Sequence, residues 1–289
     1  MTRYFLLALP LLFLGIFNGY PLGCTIVASF TNWNGLSQYD FVGTQNYLTI
    51  LRTNLFWYLL KNTLVILLYV PTSMFVSFVI SCAVIGHQNL KNIFMYIIYI
   101  PQILSTVIVS KTFLTLFGYD GYVNALLRLL GFGAFDFFGN EHSALIITVL
   151  SIIWFEIGWQ FLVILSALSN LDSSIHDLIR LDGLDFWQAS FCIYLPMIYK
   201  TYTYIGFVSL FFAFSGLFPI IHILTKGGPG YATTTIDYLI FIKAFGTDSK
   251  LGEASALALL LLGLAIMTCV LYLLLMCIGM KFLRRLNHV

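Results

Sequence analysis

One carboxylate stands inside a long apolar run: Glu156, in Ile153-Trp154-Phe155-Glu156-Ile157-Gly158-Trp159-Gln160. An ionisable side chain at such depth turns toward a bundle interior or a water-filled cavity, because exposing its charge to lipid costs at least about 2–3 kcal/mol. Helical spacing puts Trp159 and Gln160, three and four residues on, on the same face. Aromatic stacking beside polar groups that bond hydroxyls is the chemistry that holds a sugar, so Trp154, Glu156, Trp159 and Gln160 are candidate substrate-pathway residues. The equally weighted reading is a protonated or internally paired glutamate that glues its helix to a neighbour. Further along, Asp172, Asp177, Asp182 and Asp185 form a second acidic group, read as helix caps and surface charges rather than metal ligands. No G-x-x-x-x-G-K-[ST] phosphate loop occurs in the sequence, so ATP would have to be bound by another subunit.

The elements that must carry these residues are membrane helices. With 60% hydrophobic and 9% charged residues and a mean hydropathy of +0.94, 289 residues offer too little polar surface for a soluble domain. Apolar stretches of about the length needed to cross a bilayer predict an all-α polytopic membrane protein. A single domain, 1–289, is expected, with six spans at about 4–30, 62–86, 92–116, 142–171, 201–225 and 254–280. The first stretch is too long for a signal-peptide core and is expected to stay attached. Pro10, Pro71, Pro101 and Pro219 fall within spans and mark candidate kinks. The five cysteines lack metal-ligand spacing and read as small buried hydrophobes without a disulfide. A net charge of +2 suggests no nucleic acid. Lys and Arg residues divide evenly between the two sides of a six-span arrangement, so charge bias leaves its orientation open.

Between the fourth and fifth spans lies a polar insert, residues 172–196, carrying Asp177-Leu178-Ile179-Arg180-Leu181-Asp182-Gly183 and ending Ile193-Tyr194-Leu195-Pro196. Ser174 and Asp177 suggest a capping-box start, Ile175, Leu178 and Ile179 share a helical face, Gly183 suits a left-handed stop, and Asp185 with Gln188 caps a second helix. The insert resembles the cytoplasmic EAA loop of bacterial ABC importer permeases. Gly183, Ile193, Leu195 and Pro196 keep that pattern's spacing, whereas Leu178 and Ile179 stand where it has two alanines. A second motif, Leu224-Thr225-Lys226-Gly227-Gly228-Pro229, is similar to the Leu-Thr-x-Gly-Gly-Pro signature of carbohydrate-importer permeases. Weaker echoes are Phe41 to Tyr47, Asn62-Thr63 and Gly252 to Ala256.

The resemblance implies a transport subunit, not an enzyme, in a bacterial inner membrane with both termini cytoplasmic. Its implied partners are a second permease, two ATP-binding cassette subunits that bind ATP and Mg, an extracytoplasmic solute-binding protein, and membrane lipid. The implied cargo is a sugar, oligosaccharide or related polyol. Docking to the ATPase falls to Asp177, Leu178, Ile179, Arg180, Asp182 and Gly183, and the mouth of the pathway to Gly227, Gly228 and Pro229. A neutral cargo is favoured because helices 4 and 5 carry no Lys or Arg between Glu141 and Lys226 other than Arg180 and Lys200. Two rivals are a secondary transporter, which would need more helices and an inverted repeat, and a metal-dependent membrane phosphotransferase. The latter's CDP-alcohol motif resembles only Asp182-Gly183 here and then breaks off.

Overall fold

A computed structural model describes residues 2–36, 39–86 and 88–286, and the side chains at 2–7, 88–90, 176, 177, 180 and 280–286 lie outside that description. Lipid offers backbone amides no partner, so the chain satisfies them within helices. Among the described residues the one pairing of extended backbone is an isolated bridge between Thr31 and Phe41.

In chain order the helices are α1 (Ala8–Ser29), α2 (Gln45–Arg52), α3 (Asn54–Ile85), α4 (Lys91–Ile103), α5 (Thr106–Phe117), α6 (Tyr122–Leu129) and α7 (Glu141–Ser169). Then follow α8 (Ser173–Leu181), α9 (residues 186–197), α10 (Tyr199–Ser215), α11 (Phe218–Leu224), α12 (Ile236–Phe245) and α13 (Leu251–Leu286). By length and composition α1, α3, α7 and the Leu251–Gly279 part of α13 are membrane spans, and the number reaches six if each of two bent pairs is counted as one.

Two of the expected spans are bent pairs, with the bends close to Pro101 and Pro219, two of the prolines expected to mark kinks. The stretch expected at 92–116 turns by 99° between Ile103 and Thr106, and the one at 201–225 bends by 51° between α10 and α11. Prolines account for where the breaks fall. Pro101 lies two residues before α4 ends, and its ring removes the amide that would continue the ladder. The Ser105 side chain then accepts from the Ile108 amide and starts α5 afresh. Pro219 occupies the first turn of α11, where a missing amide costs nothing. Pro71 produces a smaller defect: the Leu67 carbonyl, deprived of its usual donor, accepts from the Val70 amide at 3.0 Å and α3 runs on.

By contacts the chain forms two compact units, residues 1–61 with 235–264, and residues 62–234 with 265–289. In the first, the Asn46 carboxamide donates to the Ser29 and Thr31 carbonyls, both at 2.8 Å, and so caps the end of α1. The Gly252 amide donates to the Trp33 carbonyl at 2.9 Å. Glu253 takes Lys243 at 2.6 Å and Lys250 at 3.5 Å, tying α12 to the first turn of α13.

The second unit is built around α7. A β-carbon added at Gly158 would stand 3.0 Å from the Ile98 carbonyl oxygen and 3.1 Å from the Gln102 β-carbon, so glycine lets α4 and α7 cross at backbone contact. Gly158→Leu is expected to push the two helices apart at a cost of about 1–3 kcal/mol. A lowered thermal midpoint of the purified protein in detergent would show it, with Gly158→Ala milder; an unchanged midpoint for the leucine variant would refute the close crossing.

Candidate functional site

The Glu156 group closes into a buried polar seam. The Glu156 side chain is 2% exposed, and its Oε2 accepts from Trp159 Nε1 at 3.0 Å, Gln160 Nε2 at 3.3 Å and Ser209 Oγ at 3.3 Å. Gln160 Nε2 also lies 3.0 Å from Ser73 Oγ and 2.9 Å from Ser209 Oγ, and Gln160 Oε1 accepts from Ser77 Oγ at 3.2 Å. Three helices meet there: α3 through the serines, α7 through Glu156 and Gln160, α10 through Ser209. Sequence spacing brought Glu156, Trp159 and Gln160 together, and the fold keeps them together. Trp154 stands apart, exposed, with its ring 5.7 Å from that of Phe113. Trp159 is half-buried.

The partners on α3 escaped the sequence reading. Asn62, Tyr69, Ser73, Ser77 and Ser81 repeat every seven or four residues, so they form one helical stripe, and every one is buried. Tyr69 donates to the Ser209 carbonyl at 2.9 Å, and Ser81 to the Phe161 carbonyl at 3.3 Å. That periodicity inside an apolar run was the available signal.

The insert folds as two short helices with a turn between them. Gly183 takes φ +64°, and the Leu184 amide reaches back to the Ile179 carbonyl at 3.4 Å while the Asp182 amide bonds Leu178 at 2.9 Å, which closes α8 as a Schellman-type stop. At the start of α9 the Gln188 amide donates to Asp185 Oδ1 at 2.7 Å and the Asp185 amide to Gln188 Oε1 at 3.1 Å, a full capping box. The start of α8 differs from expectation. Asp172, not Ser174, caps it, accepting from the Ser174 amide at 3.0 Å, because α8 begins at Ser173, one position before the expected cap. That amide holds the Asp172 carboxyl below the usual range.

The apolar residues of α8 also divide. Ile179 is buried, whereas Leu178 is 56% and Leu181 81% exposed. Asp182 and Gly183 are exposed too; the Asp177 and Arg180 side chains lie outside the described residues. Widened by a π-helical stretch at Ala189–Tyr194, α9 rests on α3 through Phe191, whose ring is 6.3 Å from Phe75 and 5.5 Å from Phe78.

The Gly-Gly-Pro loop is a compact knot. Gly227 and Gly230 have φ +81° and +59°, conformations open to glycine. Threonine hydroxyls occupy the inward carbonyls: Thr233 Oγ1 meets Gly228 O at 3.0 Å and Thr234 Oγ1 meets Gly227 O at 2.8 Å, while Thr225 and Thr233 share a bond of 2.6 Å.

No family model matches the chain. It is 28% identical over 259 residues to the multiple sugar-binding transport system permease protein of Streptococcus mutans, covering 88% of each chain. It is also 28% identical over 270 residues to the sn-glycerol-3-phosphate transport system permease protein of Pectobacterium atrosepticum, covering 91% of each. The chain is similar along most of its length to permease subunits of sugar-type ABC importers. This permease shares its fold with a chain of the bacterial alginate ABC transporter crystallised with an alginate pentasaccharide-bound periplasmic protein, at TM-score 0.82 and 20% identity over 94% of this chain and 92% of that one. It is a membrane-spanning transport subunit, and its relatives favour neither an ion-driven carrier nor a phosphotransferase.

Three donors converge on one Glu156 oxygen, so an apolar residue there would take the acceptor from Trp159 Nε1 and Ser209 Oγ, while Gln160 Nε2 would keep Ser73. Glu156→Leu is expected to destabilise the permease by roughly 1–3 kcal/mol or more, and Glu156→Gln, which keeps one acceptor oxygen, by less. Thermal midpoints of the two variants in detergent test the order; equal midpoints would mean that the seam does not hold the three helices together.

Proposed function

We propose that this permease pairs with a second, different permease and two ATP-binding cassette subunits, and passes a carbohydrate or polyol received from an extracytoplasmic solute-binding protein. ATP and Mg belong to the cassette subunits. We place it in a bacterial inner membrane as six spans, with α4 to α6 and α10 with α11 each counted as one. Both termini and the 172–196 insert then face the cytoplasm, and the Lys226 to Thr233 loop faces outside.

The observation that carries this reading is the insert. Two capped helices hold Leu178 and Leu181 in solvent, where an isolated chain gains nothing from them, and the bulky side chain at 178 suits a wider, more apolar groove than an alanine would. Docking by Asp177, Leu178, Ile179, Arg180, Asp182 and Gly183 follows, with Ile179 supporting the helix from its buried side. Closure of the cassettes on ATP would draw the docking inserts of the permease pair together and switch the cavity between outward and inward access. The mouth is assigned to Gly227, Gly228 and Pro229. Along the pathway we retain Trp154, Glu156, Trp159 and Gln160. Glu156 and Gln160 act from behind, through the seam, while Trp154 and the half-buried Trp159 have surface left to offer a sugar ring.

A neutral cargo rests on the scarcity of Lys and Arg in the fourth and fifth spans. Glu156 adds nothing to that choice, since its carboxylate is engaged internally. Uptake of an obligately anionic substrate would overturn it.

Topology and coupling are testable separately. In a cysteine-free background, Leu178→Cys is expected to react with an impermeant maleimide in inside-out vesicles and not in intact cells; labelling of intact cells would sink the orientation. Gly183→Val forces a β-branched residue to φ +64°, worth roughly 1–2 kcal/mol of strain, and opens the turn between the docking helices. Transport-coupled ATP hydrolysis by the reconstituted importer should fall several-fold with assembly retained. Coupled hydrolysis at the parental rate would show that the insert is not the docking element.

A further inference from the structure

Asn62 lies at one end of the polar stripe on α3 and makes contacts that the seam does not explain. Its side chain is buried, and its Nδ2 donates to the Tyr231 carbonyl at 2.8 Å and the Thr234 carbonyl at 3.4 Å. Both acceptors belong to the Gly-Gly-Pro knot, about 170 residues away in the chain. A carboxamide nitrogen has two hydrogens, one for each carbonyl. The knot is otherwise closed on itself: the Gly228 amide bonds Thr225 O at 3.0 Å, the Ala232 amide bonds Pro229 O at 3.0 Å and the Thr234 amide bonds Tyr231 O at 3.1 Å. Thr233 and Thr234 are buried, and Lys226 and Tyr231 are left exposed at its surface. Among the described contacts, Asn62 is the side chain that ties this knot to α3.

From Asn62 the same face of α3 continues through Tyr69, Ser73, Ser77 and Ser81, roughly 28 Å of helix at 1.5 Å per residue. Each of the last four bonds α7 or α10, or both through Gln160. At the far end Phe75 and Phe78 carry Phe191 of α9, which begins just past Gly183. One helix thus holds the Gly-Gly-Pro loop through Asn62 on its polar stripe and the second docking helix through Phe75 and Phe78 on another of its faces.

We propose that Asn62 is a positioning residue for transport, clamping the Gly-Gly-Pro loop to α3 so that loop and docking insert move as the two ends of one rigid body. This rests on the reading above that the loop forms the mouth of an ABC importer. Asn62 touches no cargo. It fixes where the loop sits when a loaded binding protein arrives, and it carries the response of that loop down α3.

The test compares the assembled importer with Asn62→Asp, which keeps the shape but replaces two donor hydrogens by an acceptor facing two carbonyl oxygens. Amide hydrogen exchange over residues 225–234 is expected to speed up about ten- to hundredfold, as two lost bonds would allow. Asn62→Gln, with the same donor on a longer arm, should restore much of the protection. Asn62→Ser, which brings no charge to the site, should shift exchange in the direction of the aspartate variant and stands in for it if that variant fails to assemble. The ratio of binding-protein-stimulated to basal ATP hydrolysis should fall at least threefold in the aspartate and serine variants, with basal hydrolysis retained. Wild-type exchange in both variants overturns the clamp, and faster exchange with an unchanged stimulation ratio overturns its role in coupling. A wild-type importer that no liganded binding protein stimulates would instead remove the assigned function, and the exchange measurement would still decide the clamp.

Discussion

Every polar atom carried into the interior of a membrane bundle must find a protein partner, and in the larger unit that demand falls on one face of α3. Asn62, Tyr69 and three serines meet it by bonding α7, α10 and the loop beyond α11. Single hydrogen bonds between membrane helices contribute little, about 0.6–2 kcal/mol. Their sum matters less than their geometry, since sliding α3 by one turn would leave several donors facing hydrocarbon. The seam therefore fixes register. Small side chains serve the same end: serines on α3 and Gly158 on α7 let neighbouring backbones come close enough for short side chains to reach.

Asparagine does related work twice. Asn46 holds the Ser29 and Thr31 carbonyls where α1 ends, and Asn62 holds Tyr231 and Thr234 in the Gly-Gly-Pro knot. In each case one carboxamide donates to two carbonyls at a chain turn and so joins them. These residues lie in the weaker echoes of the family pattern, which makes physical sense of fragments that carry no chemistry of their own. Glycines at 183, 227 and 230 complement them by supplying left-handed turns, so that rigid, capped segments alternate with sharply defined corners.

What the sequence disclosed follows from the range of each interaction. Glu156, Trp159 and Gln160 were legible because three and four residues are neighbours on any helix. The stop at Gly183 and the box at Asp185 and Gln188 were legible for the same local reason. Ser174 is not the cap: serine and aspartate serve equally at that position, and only the start of the helix, two residues earlier than a Ser174 cap requires, decides between them. Hydropathy measures length in oil and is blind to direction, so the bends near Pro101 and Pro219 were legible from the prolines but their angles, 99° and 51°, were not. Leu178 and Ile179 were assigned one face, yet one is exposed and the other buried, since neighbouring residues on a helix lie about 100° apart. The clamp at Asn62 was out of reach, because nothing local points to a partner so distant in the chain.

The first helix has a different lesson. None of the apolar stretch of α1 is buried within the chain, so a newly made copy presents a bare hydrocarbon-matching rod to the bilayer. Such a surface is stable there and recognisable there. Hydrocarbon tails are as apolar as the side chains of this rod, so lipid and a neighbouring subunit can cover it at similar cost. Whatever packs against it must therefore win by close fit and polar contacts rather than by burying oil.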